Sequence, residues 1–221
     1  MINLEQDRYQ AFIFDMDGTM VDNMMVHHHA WQQKLMEMGL QMTIEEVMEK
    51  VHGINEEIIK GLFPWRYTDA EVKRYAAEKE IRYQELYKDS LELIVGLPDF
   101  LRKIRECGIP IAVGSAAPPE NVDFVLDNLN IRTSFEVILH SGDVTKGKPN
   151  PEIYTKIMDK LNVSADATVI FEDSVVGAKA AENAGCEMVI VTTTHQPHEF
   201  ESINNIIGFI DDFNEIKIKE I

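Results

Sequence analysis

Cysteine is scarce in this chain. Its 221 residues include two, Cys107 and Cys186, and no CxxC spacing. A disulfide framework and a thiolate zinc site are thereby excluded, and two unpaired thiols fit a reducing compartment. Basic residues are also in deficit: 21 Lys and Arg stand against 38 Asp and Glu, for a formal charge of −17. Nucleic acids and anionic membranes need clustered cations, so neither is an expected partner. No apolar run approaches the roughly 18 residues of a membrane span. The opening MINLEQDRYQ has no apolar stretch of the kind a secretory signal needs. The expected location is cytoplasmic, with a monomer as the default. What the chain does contain is 45% apolar residues, enough for one large domain or one domain carrying a smaller insert.

The apolar residues fall into short strand-like runs: AFIF at 11–14, IPIAV at 109–113, EVILH at 136–140, TVIF at 168–171 and EMVIV at 187–191. Most lack polar alternation, which suits parallel strands covered on both faces. Helical patterns separate the later runs. Pro118 and Pro119 open a segment carrying Val122, Val125, Leu126 and Leu129. Asn150 and Pro151 read as N-cap and first helical residue before Ile153, Tyr154, Ile157, Met158 and Leu161. Val175, Ala178, Ala181 and Ala184 form a small-residue stripe that Gly185 is placed to end. Strand and helix in alternation predict an α/β fold, a doubly wound, Rossmann-like parallel sheet. Residues 22–93 break the alternation with helical patterns alone. Thr43 with Glu46, and Thr68 with Glu71, have capping-box spacing there. The expected organisation is a core of 1–21 and 94–221 with a small helical domain, 22–93, inserted after the first strand.

The first apolar run leads into DMDGTMVD, where Asp15, Asp17 and Asp22 crowd eight positions. In a doubly wound sheet, ligands sit at the carboxyl ends of the strands. Asp15 and Asp17 occupy such a tip, and Gly18 allows a sharp turn beside them. Ser115 in VGSAA, Lys148 in KGKPNPE, and Glu172 with Asp173 in IFEDS follow other runs in the same way. Gathering four carboxylates is costly, since unit charges 4 Å apart interact by about 4 kcal/mol even at an effective dielectric of ~20. A hard divalent cation such as Mg²⁺, which prefers oxygen ligands, resolves the repulsion.

This ordered set resembles the haloacid dehalogenase-like hydrolase superfamily over essentially the whole chain. DMDGT resembles its first motif, Ser115 its second, Lys148 its third and the EDS of 172–174 its fourth. Within the superfamily the chain is most similar to the β-phosphoglucomutase and sugar-phosphate phosphatase branch, through DNMMVHHHAW and VHGINEE. The resemblance implies Asp15 as nucleophile, Asp17 as general acid and base, and Ser115 and Lys148 as stabilisers of the transferring phosphoryl group. It implies Mg²⁺ held by Asp15, Asp173 and the Asp17 carbonyl, with Glu172 as a direct or water-mediated ligand. Gly18, Thr19, Ala116 and Asn121 would contact phosphate, and His27, His52, Gly53 and Asn55 of the helical cap would contact the rest of a small phosphorylated metabolite.

The expected activity is that of a phosphatase for sugar or polyol monophosphates, with a phosphomutase as the alternative. Against the mutase, Glu56 stands where that enzyme places an arginine, and Glu85 where it places a lysine. A catalytically idle binding protein of the same fold is the alternative from another class, and the intact motifs argue against it. His27, His28 and His29 are not expected to share a metal, because adjacent helical positions point about 100° apart. Asp22 is expected at the hinge or as a helix cap. Trp31 is expected to pack within the insert, and His195 and His198 are placed in a loop.

Overall fold

The computed structural model describes residues 1–219. Two compact units emerge, one of Met1–Asp22 with the chain from Glu92 onward, the other of Asn23–Leu91. The insert read from the sequence, 22–93, starts one residue earlier and ends two later. In chain order the strands are β1 (Ile2–Glu5), β2 (Ala11–Phe14), β3 (Ile111–Gly114), β4 (Val137–Leu139), β5 (Thr168–Glu172), β6 (Glu187–Val191), β7 (Ile206–Ile210) and β8 (Ile216–Lys219). The helices of the second unit are α1 (Met24–Glu37), α2 (Ile44–Lys50), α3 (Asn55–Leu62) and α4 (Asp69–Tyr87). Those of the first are α5 (Leu97–Glu106), α6 (Pro119–Asn128), α7 (Glu152–Leu161) and α8 (Val175–Ala184).

Six strands form one parallel sheet in the order β4-β3-β2-β5-β6-β7, while β1 and β8 pair with each other apart from it. The chain steps outward from β2 through β3 to β4, then crosses back to β5 and steps outward the other way. The order therefore reverses between β2 and β5, and a crevice opens outside their carboxyl ends. Both faces of the sheet are covered. Phe12, Phe14 and Phe171 meet Phe100 of α5 and Phe213 on one side, with Phe14 and Phe171 stacked at 4.4 Å. Ile13, Ile170, Met188 and Ile190 pack on the other side with Tyr154, Ile157, Ala178 and Ala181 from α7 and α8. Apolar residues on both faces explain runs without polar alternation.

Helix ends follow their capping chemistry. Thr43 and Thr68 accept from the amides of Glu46 and Glu71, whose carboxylates accept in return from the two threonine amides. Gly185, at φ 82°, closes α8. Asp22 ends the first unit, at the hinge rather than as a cap, and Asn23 is the N-cap of α1. Two details depart from expectation. Helix α7 begins at Glu152, one residue late, with Pro151 as N-cap and Asn150 Oδ1 accepting from the Glu152 amide at 3.0 Å. His198 lies in a 3-10 turn, Pro197–Phe200, rather than in irregular loop. In the helical unit, Trp31, Leu35, Val47, Ile59 and Val72 share one core. No helix among the described residues is long and apolar enough to cross a membrane.

Candidate active site

Strand register sets the site. Phe14 pairs with Phe171, so the next residues, Asp15 and Glu172, emerge side by side where the strand order reverses. The Asp15 amide donates to the Phe171 carbonyl at 3.0 Å and fixes that exit. Lys148, on the loop before α7, donates to Asp15 Oδ1 and to Glu172 Oε1, each at 2.6 Å. Its ammonium also lies 4.9 Å from the centre of the Tyr154 ring. Glu172 is held from all sides: Tyr154 donates its hydroxyl to Oε1 at 2.5 Å, and Oε2 accepts from the Asp173 amide at 3.2 Å and the Ser174 hydroxyl at 3.2 Å. Two glycines make room. A Cβ on Gly177 would fall 1.9 Å from Glu172 Oε1, and one on Gly18 would fall 2.1 Å from Asp173 Oδ2. Gly18 also sits at φ 78°, where a side chain is strained.

The cluster is buried, with Asp15, Glu172 and Asp173 at most 7% exposed. Burial pushes the Asp15 carboxyl well above the carboxylate range; Lys148 opposes this, while Glu172 and Asp173 add to it. Burial, then the charge of Glu172, raises Asp173 to about 7. Burial pulls Lys148 down, but Asp15 and Glu172 outweigh it and hold the ammonium well above its usual value. One cation for three buried carboxylates leaves the cluster short of positive charge.

A divalent ion fits that deficit. Asp15, Glu172 and Asp173 offer carboxylate oxygens all within 4.8 Å of one another. Thr194 Oγ1, buried beside Asp173, whose carboxyl its hydrogen bond holds down, lies 2.8 Å from where a Gly18 Cβ would stand. An all-oxygen donor set of this kind suits Mg²⁺ better than a soft metal.

The other residues singled out from the sequence fall into two groups. In the sheet unit, Thr19 Oγ1 donates to Asp173 Oδ1 at 3.4 Å, and Asp17 bridges to Val21 through the backbone. Ser115 and Asn121 are buried and Ala116 is exposed; Ser115 Oγ accepts from the Ala117 amide at 3.0 Å. In the helical unit, His27 Nδ1 lies 2.7 Å from Lys79 Nζ and its ring stacks on Tyr83 at 3.9 Å. Asn55 donates to Glu80 Oε1, His52 lies on the surface against the Glu49 carbonyl, and Gly53 takes φ 100° in open space. Among the described residues, His27, His28 and His29 form no metal-binding group.

Tyr154, Gly177, Thr194 and Lys79 were not singled out from the sequence. Lys79 falls on the apolar stripe of α4 with Val72, Ala76 and Tyr83, which is the signal that marks it. The lysine position read from the resemblance, Glu85, instead carries a side chain that is 65% exposed.

A parallel α/β sheet with buried carboxylates gathered round a lysine at its strand tips is the arrangement to set beside known proteins. The family model described as haloacid dehalogenase-like hydrolase matches residues 12–191, and the chain belongs to that family. It is 29% identical to the phosphorylated carbohydrates phosphatase of Thermotoga maritima, over 81% of this chain and 83% of that one. It is 26% identical to a chloroplastic 5-amino-6-(5-phospho-D-ribitylamino)uracil phosphatase of Arabidopsis thaliana over 95% of this chain, which spans 57% of that relative's length. Among solved structures, a beta-phosphoglucomutase from Clostridium difficile superposes with a TM-score of 0.80 at 25% identity, covering 95% of this chain and 93% of that one.

Proposed function

We propose that the protein is a Mg²⁺-dependent phosphatase for small phosphorylated metabolites, sugar or polyol monophosphates, working through an aspartyl phosphate on Asp15. The observation that carries the reading is Lys148 held at 2.6 Å from both Asp15 and Glu172 with Asp173 beside them. Bound between Asp15, Asp173 and the Asp17 carbonyl, with Glu172 directly or through water, Mg²⁺ would supply charge neutralisation for carboxylates and phosphate together.

Asp15 attacks phosphorus as the bond to the substrate oxygen breaks, and Asp17 gives its proton to the leaving alkoxide. In the second step Asp17 takes a proton from water, whose oxygen attacks phosphorus; phosphate leaves and the Asp15 carboxylate is restored. Lys148 opposes the burial that raises the Asp15 carboxyl, and Ser115 with backbone amides at the strand tips stabilises the transferring oxygens. His27, His52, Gly53 and Asn55 are proposed to select the body of the substrate. The Thermotoga relative's name specifies carbohydrate phosphates and the plant relative's a phosphorylated ribityl chain, which supports the sugar and polyol classes.

Phosphate release from an aryl phosphate and a panel of sugar and polyol monophosphates tests the reading. Activity is expected with Mg²⁺, not with chelator, and is expected to vanish in Asp15→Asn. Turnover without metal, or an Asp15→Asn variant that stays active, refutes it. The structural likeness to a beta-phosphoglucomutase favours a phosphomutase as the second reading. β-Glucose 1-phosphate supplied with its bisphosphate separates the two: isomerisation without phosphate release identifies the mutase.

A further inference from the structure

The segment KGKPNPE contains an acidic residue that the chemistry above does not use. Glu152 is the first residue of α7, four positions after Lys148. Its carboxylate faces back onto the loop that carries that lysine. Both oxygens accept from the Thr145 amide at 3.0 Å; Oε2 also accepts from the Thr145 hydroxyl at 2.8 Å and the Lys146 amide at 2.9 Å. On the other side, Lys156 pairs with Oε1 at 2.6 Å while donating to the Asp143 carbonyl at 2.8 Å. One side chain thus gathers both amides of residues 145–146, a hydroxyl and an ammonium. Asn150 Oδ1 accepts from the amide of Glu152 itself at 3.0 Å, and Asn183 donates to the Pro149 carbonyl at 2.9 Å.

From this geometry we infer that Glu152 is a positioning residue: it clamps residues 145–146 so that the Lys148 ammonium is delivered to Asp15 and Glu172 in one place. The inference rests on the phosphatase reading for its catalytic consequence and on geometry alone for the clamp. A carboxylate is required because it accepts at four or more directions, whereas an amide of the same size presents donors where the loop also presents them. Loosening the loop lets the ammonium wander, and misplacement by about 1 Å can cost up to about a hundredfold in rate.

The test uses the full chain, with Glu152→Ala and Glu152→Gln beside the unsubstituted protein. Amide hydrogen exchange at Thr145 and Lys146 is expected to speed up in both variants, more in Glu152→Ala. The expected kinetic signature is a fall in kcat of about tenfold to a hundredfold with KM within about twofold, ordered parent, Gln, Ala. That split marks lost transition-state stabilisation rather than lost binding. Unchanged exchange at the two amides overturns the clamp. Faster exchange with an unchanged kcat overturns its catalytic consequence, and so does a loss of rate that tracks a loss of folded protein in both variants. A parent protein that releases no phosphate from any substrate instead defeats the phosphatase reading, and the exchange measurement then decides the clamp separately.

Discussion

Lys148 in the sheet unit and Lys79 in the helical unit are both withdrawn from water, with side chains 7% and 3% exposed, and they keep different company. Lys148 stands between carboxylates from two adjacent strand tips, with a third, Asp173, in the same cluster. Lys79 meets the carboxylate of Glu80 at 3.0 Å and lies 2.7 Å from His27 Nδ1; the faces of Trp31 and Tyr83 lie 5.6 and 5.8 Å away. Lys79 forms an ion pair with the neighbouring Glu80. Around Lys148 the charges do not balance, and a buried imbalance of that sign asks for a cation and favours a group that brings one. Burial of a lysine alone therefore does not mark chemistry; the excess of carboxylate around it does.

The most forceful way to break this comparison is to remove each ammonium in turn. Lys148→Met is expected to cut kcat on an aryl phosphate by about a hundredfold to a thousandfold, the range for losing one electrostatic stabiliser. Lys79→Met is expected to leave that kcat within about tenfold but to lower stability by about 3 kcal/mol, because Glu80 loses the ammonium beside it while staying largely buried. Steady-state kinetics and urea unfolding of the two variants check this. Equal losses of kcat would abolish the distinction between the clusters.

Adding the missing charge sharpens it further. Mg²⁺ at about a hundred times its dissociation constant is expected to stabilise the fold by about 2.7 kcal/mol, seen as a raised thermal midpoint. Asp173→Asn should lose most of that gain, while Lys79→Met should keep it in full. A midpoint indifferent to Mg²⁺ would mean that the cluster satisfies itself internally.

These contrasts also show what can be read from sequence. Asp15, Lys148 and the pair Glu172 and Asp173 were legible because each of these three places follows its own apolar run, and strand tips of a doubly wound sheet converge whatever the details. The capping boxes of α2 and α4 were legible because their chemistry is local. Strands β1 and β8 were not: each is four residues long, and Ile2 finds its partner at Ile216, across nearly the whole chain. Strand β7 was hidden by Gly208 in the middle of IIGFI. Tyr154 was obscured by its own ring, which belongs to an apolar helix face while a single polar atom at the tip carries the interaction. Glu152 was hidden differently, since an acidic residue in a first helical turn has an ordinary explanation in the helix dipole.

The smallest expected effect separates that ordinary explanation from a specific one. Hydrogen bonds from Lys156, then from the Thr145 amide, hold the Glu152 carboxyl at about 2 against a usual 4.5. Glu182 is held at about 2 as well, by Lys179 and then by Asn204, and it does not touch the Lys148 loop. A depressed carboxyl contributes stability that is present above its unfolded value of about 4.5, and that contribution is lost as pH falls toward the folded value. Glu152→Gln and Glu182→Gln should therefore each lie slightly below the parent in thermal midpoint at neutral pH, with both gaps closing between about pH 4.5 and pH 2. Only the first should lower kcat at neutral pH. If the two variants match in kinetics as they do in this titration, Glu152 is an ordinary helix-terminal acid; if they part, the same electrostatic signature has been put to positional use in one place and not in the other.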